Sequence, residues 1–237
     1  MTGRIEENQS WKAYSNRLGK VLGLKGSPVA VTYSNVGANS ISRKRHRVCE
    51  AIPAARDGEV INLSRATCSC RGGANFLGLG PPREKLEEFL VYSEKLWDSI
   101  ATARRALTHI LSRAPPPTGL SKYVVFSPLE NAELEPDLVL FLCSPEQGCR
   151  LTALASYREG AIPPTEMGGS LCWSSVTYPL VTGNINVSLG DFSARRTACW
   201  NPLELIVSIP AHKIPQIVDN IDHCSAGTAK PPENSSD

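Results

Sequence analysis

Pro28-Val29-Ala30-Val31 and Pro136-Asp137-Leu138-Val139-Leu140 each open an apolar strand of similar composition. The first is followed by Arg56-Asp57-Gly58, Cys70, Phe76 and Gly80, and the second by Arg158-Glu159-Gly160, Cys172, Tyr178 and Gly183. Gly58 and Gly160, Cys70 and Cys172, and Phe76 and Tyr178 all keep one offset of 102 residues. Arg47 is echoed by Arg150. A shared spacing predicts two pseudo-repeated α/β halves, about 25–114 and 120–222. Two such halves packed about a pseudo-twofold axis would bring Cys70 and Cys172 together from far apart in sequence. Chance similarity between two helix–turn–strand stretches is the alternative.

Working outward, apolar runs at strand period and amphipathic runs at helical period alternate along the chain. Strands are expected at 28–33, 59–63, 122–127, 138–143, 186–189 and 204–209. Helices are expected at 6–22, 48–56, 74–79, 83–111, 146–158, 172–181, 192–199 and 211–222. The stretch 83–111 carries the strongest helical signal, and Pro115-Pro116-Pro117 with Gly119 makes a stiff connector after it. Several strands are short, which favours an α+β or α/β fold with a mixed sheet and flanking helices over a doubly wound one. Residues 1–224 read as a single globular domain, and 225–237, rich in Pro, Ser and charge, as a disordered tail. Trp11, Val29, Val31, Val125, Leu138, Leu140, Ile206 and Val207 are the expected core.

A chain of 237 residues with 41% hydrophobic and 20% charged residues is an ordinary globular composition. A net charge of +2 gives no case for nucleic-acid binding. The basic runs Arg43-Lys44-Arg45-His46-Arg47 and Arg104-Arg105 read as solvated surface. No stretch reaches the roughly 18 apolar residues that span a bilayer, and 1–9 lack a signal-peptide core. A cytoplasmic location is expected. Thiols stay reduced there, so eight cysteines suggest metal or redox chemistry as well as packing.

Cys68-Ser69-Cys70 is the sharpest local feature. Residues two apart in an extended segment share a face, so both thiols can aim at one metal. The glycines of Arg71-Gly72-Gly73 let backbone N–H groups approach a thiolate or sulfide. Cys49 and His46 lie just upstream, and Cys172 follows the pair Gly168-Gly169. An iron–sulfur cluster would take Cys49, Cys70 and Cys172, with Cys68 as fourth ligand or bystander. Three thiolates on a cube-shaped 4Fe–4S cluster leave one iron open to a substrate. A zinc ion would instead take His46, Cys49, Cys68 and Cys70. The third reading is that these thiols are small buried side chains.

Ser188, Asp191, Arg195 and Arg196 gather at a Gly190-Asp191 turn between a strand and a helix, where an anionic substrate could bind. The alternative is that Asp191 caps the helix and pairs with Arg195. No Gly-x-Gly-x-x-Gly, Walker or Gly-x-Ser-x-Gly pattern occurs, and no general acid or base is assigned. His109, His212 and His223 read as surface or packing residues.

Several of these motifs coincide with a known family. They are Leu22 to Val31, Cys49-Glu50-Ala51, Cys70-Arg71-Gly72-Gly73-Ala74, Leu77-Gly78-Leu79 and Val125-Phe126-Ser127-Pro128-Leu129. Pro136 to Leu140, Tyr178 to Gly183, Asn186 to Asp191 and Arg195-Arg196 complete the set. On these the chain, over about residues 14–222, resembles the domain-of-unknown-function 169 family of bacterial and archaeal proteins, many from anaerobes. Cys68 stands outside the motifs. The resemblance implies the fold and the cysteine positions, and no activity. The functional expectation is an iron–sulfur protein that binds or reduces a small substrate, as an oxidoreductase or lyase. A small molecule or an electron-transfer protein is the expected partner, with no nucleic acid or membrane, and an oligomer remains open. The competing expectation is a non-catalytic module whose cysteines hold zinc or pack.

Overall fold

The computed structural model describes residues 2–39, 44–198 and 200–229. Arg43, Cys199 and the tail from Lys230 lie outside the described residues. In chain order the first elements are α1 (Thr2–Leu22), β1 (Val29–Ser34), α2 (Val48–Arg56), β2 (Ile61–Leu63) and α3 (Arg71–Phe76). There follow α4 (Leu86–Glu88), α5 (Ile100–Arg113), β3 (Tyr123–Pro128), β4 (Leu138–Cys143) and α6 (Pro145–Ser156). A π-helical turn (Trp173–Thr177) runs into α7 (Tyr178–Thr182). Then come β5 (Asn186–Ser188), α8 (Phe192–Thr197), β6 (Leu205–Pro210), α9 (Ile214–Asp219) and α10 (Ser225–Thr228).

The described strands form one six-stranded sheet in the order β2-β3-β1-β4-β6-β5. Every pairing between them is antiparallel, so the α+β class holds and the sheet is not mixed in strand direction. The reason is insertion: β3 returns between β1 and β2, and β6 between β4 and β5, so the parallel neighbours never touch.

The order reads alike from either edge. A three-residue edge strand (β2 or β5) pairs with a long strand ending in proline (β3 or β6), which pairs with a central strand (β1 or β4). Each long strand runs into one turn of 3₁₀ helix, Leu129–Asn131 or Ala211–Lys213. Each edge strand follows a helical stretch closed by a glycine at positive φ, Gly58 (114°) or Gly183 (68°). Each edge strand also leads to a short helix capped by a side chain, that of Cys70 or Asp191. By place in the sheet, Cys70 therefore answers to Asp191 rather than to Cys172, and the 102-residue offset does not follow the strands. β3, expected to open the second half, pairs instead with β1 and β2 of the first.

Alternation at period two divides the core. Val29, Val31, Leu138, Leu140 and Ile206 face one side, covered by α2, α3 and the stretch from Leu171 to Tyr178. Ala30, Val139, Phe141, Val207 and Ile209 face the other, covered by α1, α6 and α9. All eight residues expected in the core are buried, Trp11 and Val125 included.

Local differences have local causes. The stretch 83–111 is not one helix. Lys85 and Lys95 adopt positive φ, a π turn occupies Phe89–Ser93, and Ser99 restarts the helix by accepting from the Thr102 N–H. Ser and Asp favour such caps over helix interiors, which periodicity alone does not register. The expected helix at 211–222 is a 3₁₀ turn and α9, with Pro215 in its first turn. His46 lies before α2, in a bridge to Cys68. Among the described residues no helix is long and apolar enough to cross a membrane.

The domain also runs past 224, for Ser225–Thr228 is helical rather than tail. Arg150, buried on α6, donates from Nε to the Ala226 carbonyl (2.7 Å) and from Nη2 to the Ala229 carbonyl (2.9 Å). Truncation after Ala229 should leave the unfolding midpoint unchanged. Truncation after Cys224 should strip Arg150 of both acceptors and cost about 1–3 kcal/mol in a urea titration.

Candidate functional site

Cys49 lies in the first turn of α2. The turn is fixed from outside by Glu50, whose carboxylate accepts from the Arg47 N–H at 2.8 Å. The cysteine loop is laid beside this turn by two backbone bonds, His46 N–H to Thr67 O (3.2 Å) and Ser69 N–H to His46 O (2.9 Å). Cys70 then caps α3: its Sγ accepts from the Gly73 N–H at 3.4 Å, while Cys68 Sγ donates to the Cys70 carbonyl at 3.4 Å.

Cys172 arrives from the other half of the chain. Asp191 anchors its approach, since one carboxylate oxygen accepts from the Leu171 N–H (2.8 Å) and the other from the Ala194 N–H (2.6 Å). Thr177 Oγ1 donates to the Phe76 carbonyl (2.6 Å), which ties the π turn to α3. Trp200 Nε1 donates to the Cys49 carbonyl (3.0 Å) and ties α2 to the segment before β6.

These ties converge on Gly73. A Cβ there would lie 3.5 Å from Cys172 Sγ and 3.7 Å from Cys68 Sγ, so those sulfurs are within about 7 Å of each other. The Gly73 nitrogen is about 2.5 Å from the same point, by standard bond lengths. Cys70 and Cys172 sulfurs are therefore within about 10 Å. The structure thus brings Cys68, Cys70 and Cys172 together, with Cys49 near enough for its charge to act on Cys172. Cys143, Cys149 and Cys224 lie elsewhere, and all the described cysteines are free thiols.

Burial dominates the electrostatics. It pushes the Cys49 thiol up to about 12, helped by the negative charges of Asp191, Cys70 and Glu50 and opposed by Arg47. Cys172 is raised still more clearly by burial, and then by Cys70, Cys49, Asp191 and Cys68. Cys68 is raised by burial and by the charge of Cys70, with a hydrogen bond to the Cys70 backbone and the charge of Arg45 opposing. Each thiolate discourages the next, so only a strong positive charge would deprotonate the set. A lone nucleophilic cysteine needs the reverse setting. Among the described residues, no three His, Cys, Asp or Glu side chains are grouped so as to hold a metal ion as they stand. His46 is buried beside Cys68 with Nε2 unpartnered.

The residues expected to meet an anion are engaged in the fold. Ser188 Oγ lies 2.7 Å from Ser174 Oγ and accepts from the Gly190 N–H. Asp191 caps α8, as its alternative reading held, but its carboxylate bonds backbone N–H groups rather than Arg195. Arg195 donates to the carbonyls of Leu189 (2.7 Å), Glu204 (2.6 Å) and Pro202 (3.4 Å). Arg196 lies exposed over the Phe192 ring. Thr177 and Trp200 position the site without any sequence signal. Gly73 was visible only as half of a glycine pair.

The site and the whole sheet fall inside residues 17–220, which match the family described as Uncharacterised ArCR, domain of unknown function 169. The chain belongs to this DUF169 family. It is 26% identical over 187 residues to an uncharacterised protein of Methanocaldococcus jannaschii, covering 76% of this chain and 77% of that one. No solved structure matches it significantly. The DUF169 match thus spans both halves of the sheet and Cys49, Cys68, Cys70 and Cys172 alike.

Two substitutions test this geometry. Gly73→Ala sets a methyl 2.8 Å from Val48 Cγ2, on a side chain with little rotational freedom. It should cost about 1–3 kcal/mol in chemical denaturation. Gly72→Ala, with only Cys70 Sγ at 3.8 Å, should be nearly neutral. Asp191→Ala removes the acceptor of two N–H groups and should cost about 1–3 kcal/mol by the same assay.

Proposed function

We propose that this DUF169 chain is an iron–sulfur protein whose cluster is held by Cys49, Cys70 and Cys172, with Cys68 beside it as a bystander thiol. The observation that carries the reading is the convergence of thiols from both halves of the chain on Gly73, where a glycine is required and its N–H already donates to a cysteine sulfur. Such N–H to sulfur bonds are what a buried thiolate ligand needs. Burial and neighbouring negative charge hold Cys49 and Cys172 in the thiol form unless a multiply charged cation binds.

Thiolates on a cube-shaped cluster sit roughly 6–7 Å apart, while those on one zinc ion sit less than about 4 Å apart; both figures follow from metal–sulfur bonds near 2.3 Å. The bounds of about 7 and 10 Å between sulfurs around Gly73 admit the wider spacing. When bound, the cluster supplies one-electron chemistry and, at an iron free of thiolate, a binding position for a small substrate. The chain's own part is to hold the sulfurs, keep water from them and fix their approach through Asp191, Thr177 and Trp200. An oxidoreductase or lyase fits this role, in the cytoplasm, where thiols stay reduced. The second reading is zinc on His46, Cys49, Cys68 and Cys70, which the buried, unpartnered His46 Nε2 favours.

Purification without oxygen, or reconstitution with iron and sulfide, decides between them. The expected product is brown, with iron and acid-labile sulfide in equal amounts and no stoichiometric zinc. Cys70→Ala should lose the colour. Cys224→Ala, in the core on the opposite face of the sheet, should keep it. Zinc bound without sulfide would favour the second reading, and a colourless, metal-free chain would refute both.

A further inference from the structure

Tyr33 stands on β1 in step with Val29 and Val31, so its ring shares the sheet face that carries the cysteines. It packs against the apolar cluster containing Cys49, Cys68 and Cys172. Its main-chain N–H is accounted for by Asp137 Oδ2 at 2.7 Å. Its phenolic oxygen is not: the atom is buried, and it has no hydrogen-bond partner among the described residues. Buried polar atoms are nearly always paired, so an orphan of this kind needs an explanation.

A complementary deficit lies nearby. Cys172 is buried, and no hydrogen bond among the described residues reaches its sulfur, whereas Cys70 has the Gly73 N–H. A ligating cysteine is a thiolate, and a thiolate buried among apolar groups requires a donor. Tyr33 packs against the cluster that contains Cys172, and Cys172 is among the charges that act on the phenol. Burial, the Asp137 carboxylate and Cys172 all hold the phenol above its ordinary range, so it keeps its proton and can serve as a donor.

We propose that the Tyr33 hydroxyl donates a hydrogen bond to the Cys172 sulfur once that sulfur ligates the cluster, and thereby raises the cluster's reduction potential. The proposal rests on the iron–sulfur reading of the site. Hydrogen bonds to ligand sulfurs stabilise the more negative, reduced cluster, which is why they move the potential upward.

The test is an anaerobic redox titration of the full chain and of Tyr33→Phe, each reconstituted with iron and sulfide and assayed for both. Tyr33→Phe keeps the ring and hence the packing. Equal iron and sulfide contents with a more negative midpoint for the variant is the expected result. Site-specific 3-fluorotyrosine at position 33, a stronger donor, should move the midpoint the other way. An unchanged midpoint in either altered chain would overturn the Tyr33 assignment while leaving the cluster standing. Absence of iron and sulfide from the parent chain would instead remove the reading beneath it, and the metal assay tells these two failures apart.

Discussion

Three residue pairs hold the halves of the sheet together: Val29 with Leu140, Ala30 with Val139, and Val31 with Leu138. All six side chains are fully buried. The alternation at this seam sends Val29, Val31, Leu138 and Leu140 to the cysteine face, and Ala30 and Val139 to the face under α1 and α6. A slip of one residue would exchange the two sets and expose the wrong apolar surface to each helical layer. Because β1 and β4 are central, every other strand takes its place from this register. So do the helices that bring Cys49 and Cys172 over the same face.

Burying several thiols side by side is a costly arrangement for a thiolate site and a comfortable one for thiols. The protein surrounds it with tertiary ties rather than a local loop. Asp191 holds the residue before Cys172, Thr177 holds α3, and Trp200 holds Cys49. Each bond joins segments far apart in sequence. The site is therefore a property of the assembled domain, unlike a Cys-x-x-Cys knuckle that forms within one loop. The π turn directly after Cys172 belongs to the same device, since such turns depart from regular helix where a side chain must be re-aimed.

The extent to which the sequence could be read depends on the range of the interaction involved. Strand β4 and helix α2 were legible to the residue, because an unbroken apolar run and a helix closed by Asp57-Gly58 are local signals. The stretch 83–111 misled, because Ser99 capping and two lysines at positive φ override a periodic pattern. Ser188, Asp191 and Arg195 were rightly singled out as a structured turn. Their type suggested an anion, yet their bonds run to backbone groups of the turn and of neighbouring segments, a choice no local spacing reveals.

By itself, then, the amino-acid sequence determined the strand and helix inventory of the core, a choice between α+β and α/β, the family, and the cysteines worth watching. Periodicity, caps and glycines are encoded within a few residues, so they can be read along the chain. The tertiary structure alone decided that the strands run antiparallel throughout, that Asp191 rather than Cys172 occupies the place answering to Cys70, and that Cys172 meets Cys68 and Cys70 at Gly73. Those outcomes depend on which distant strands exchange hydrogen bonds and which helical stretches then cover a common face. Such pairings are settled by burying two whole apolar layers at once, not by any spacing along the chain.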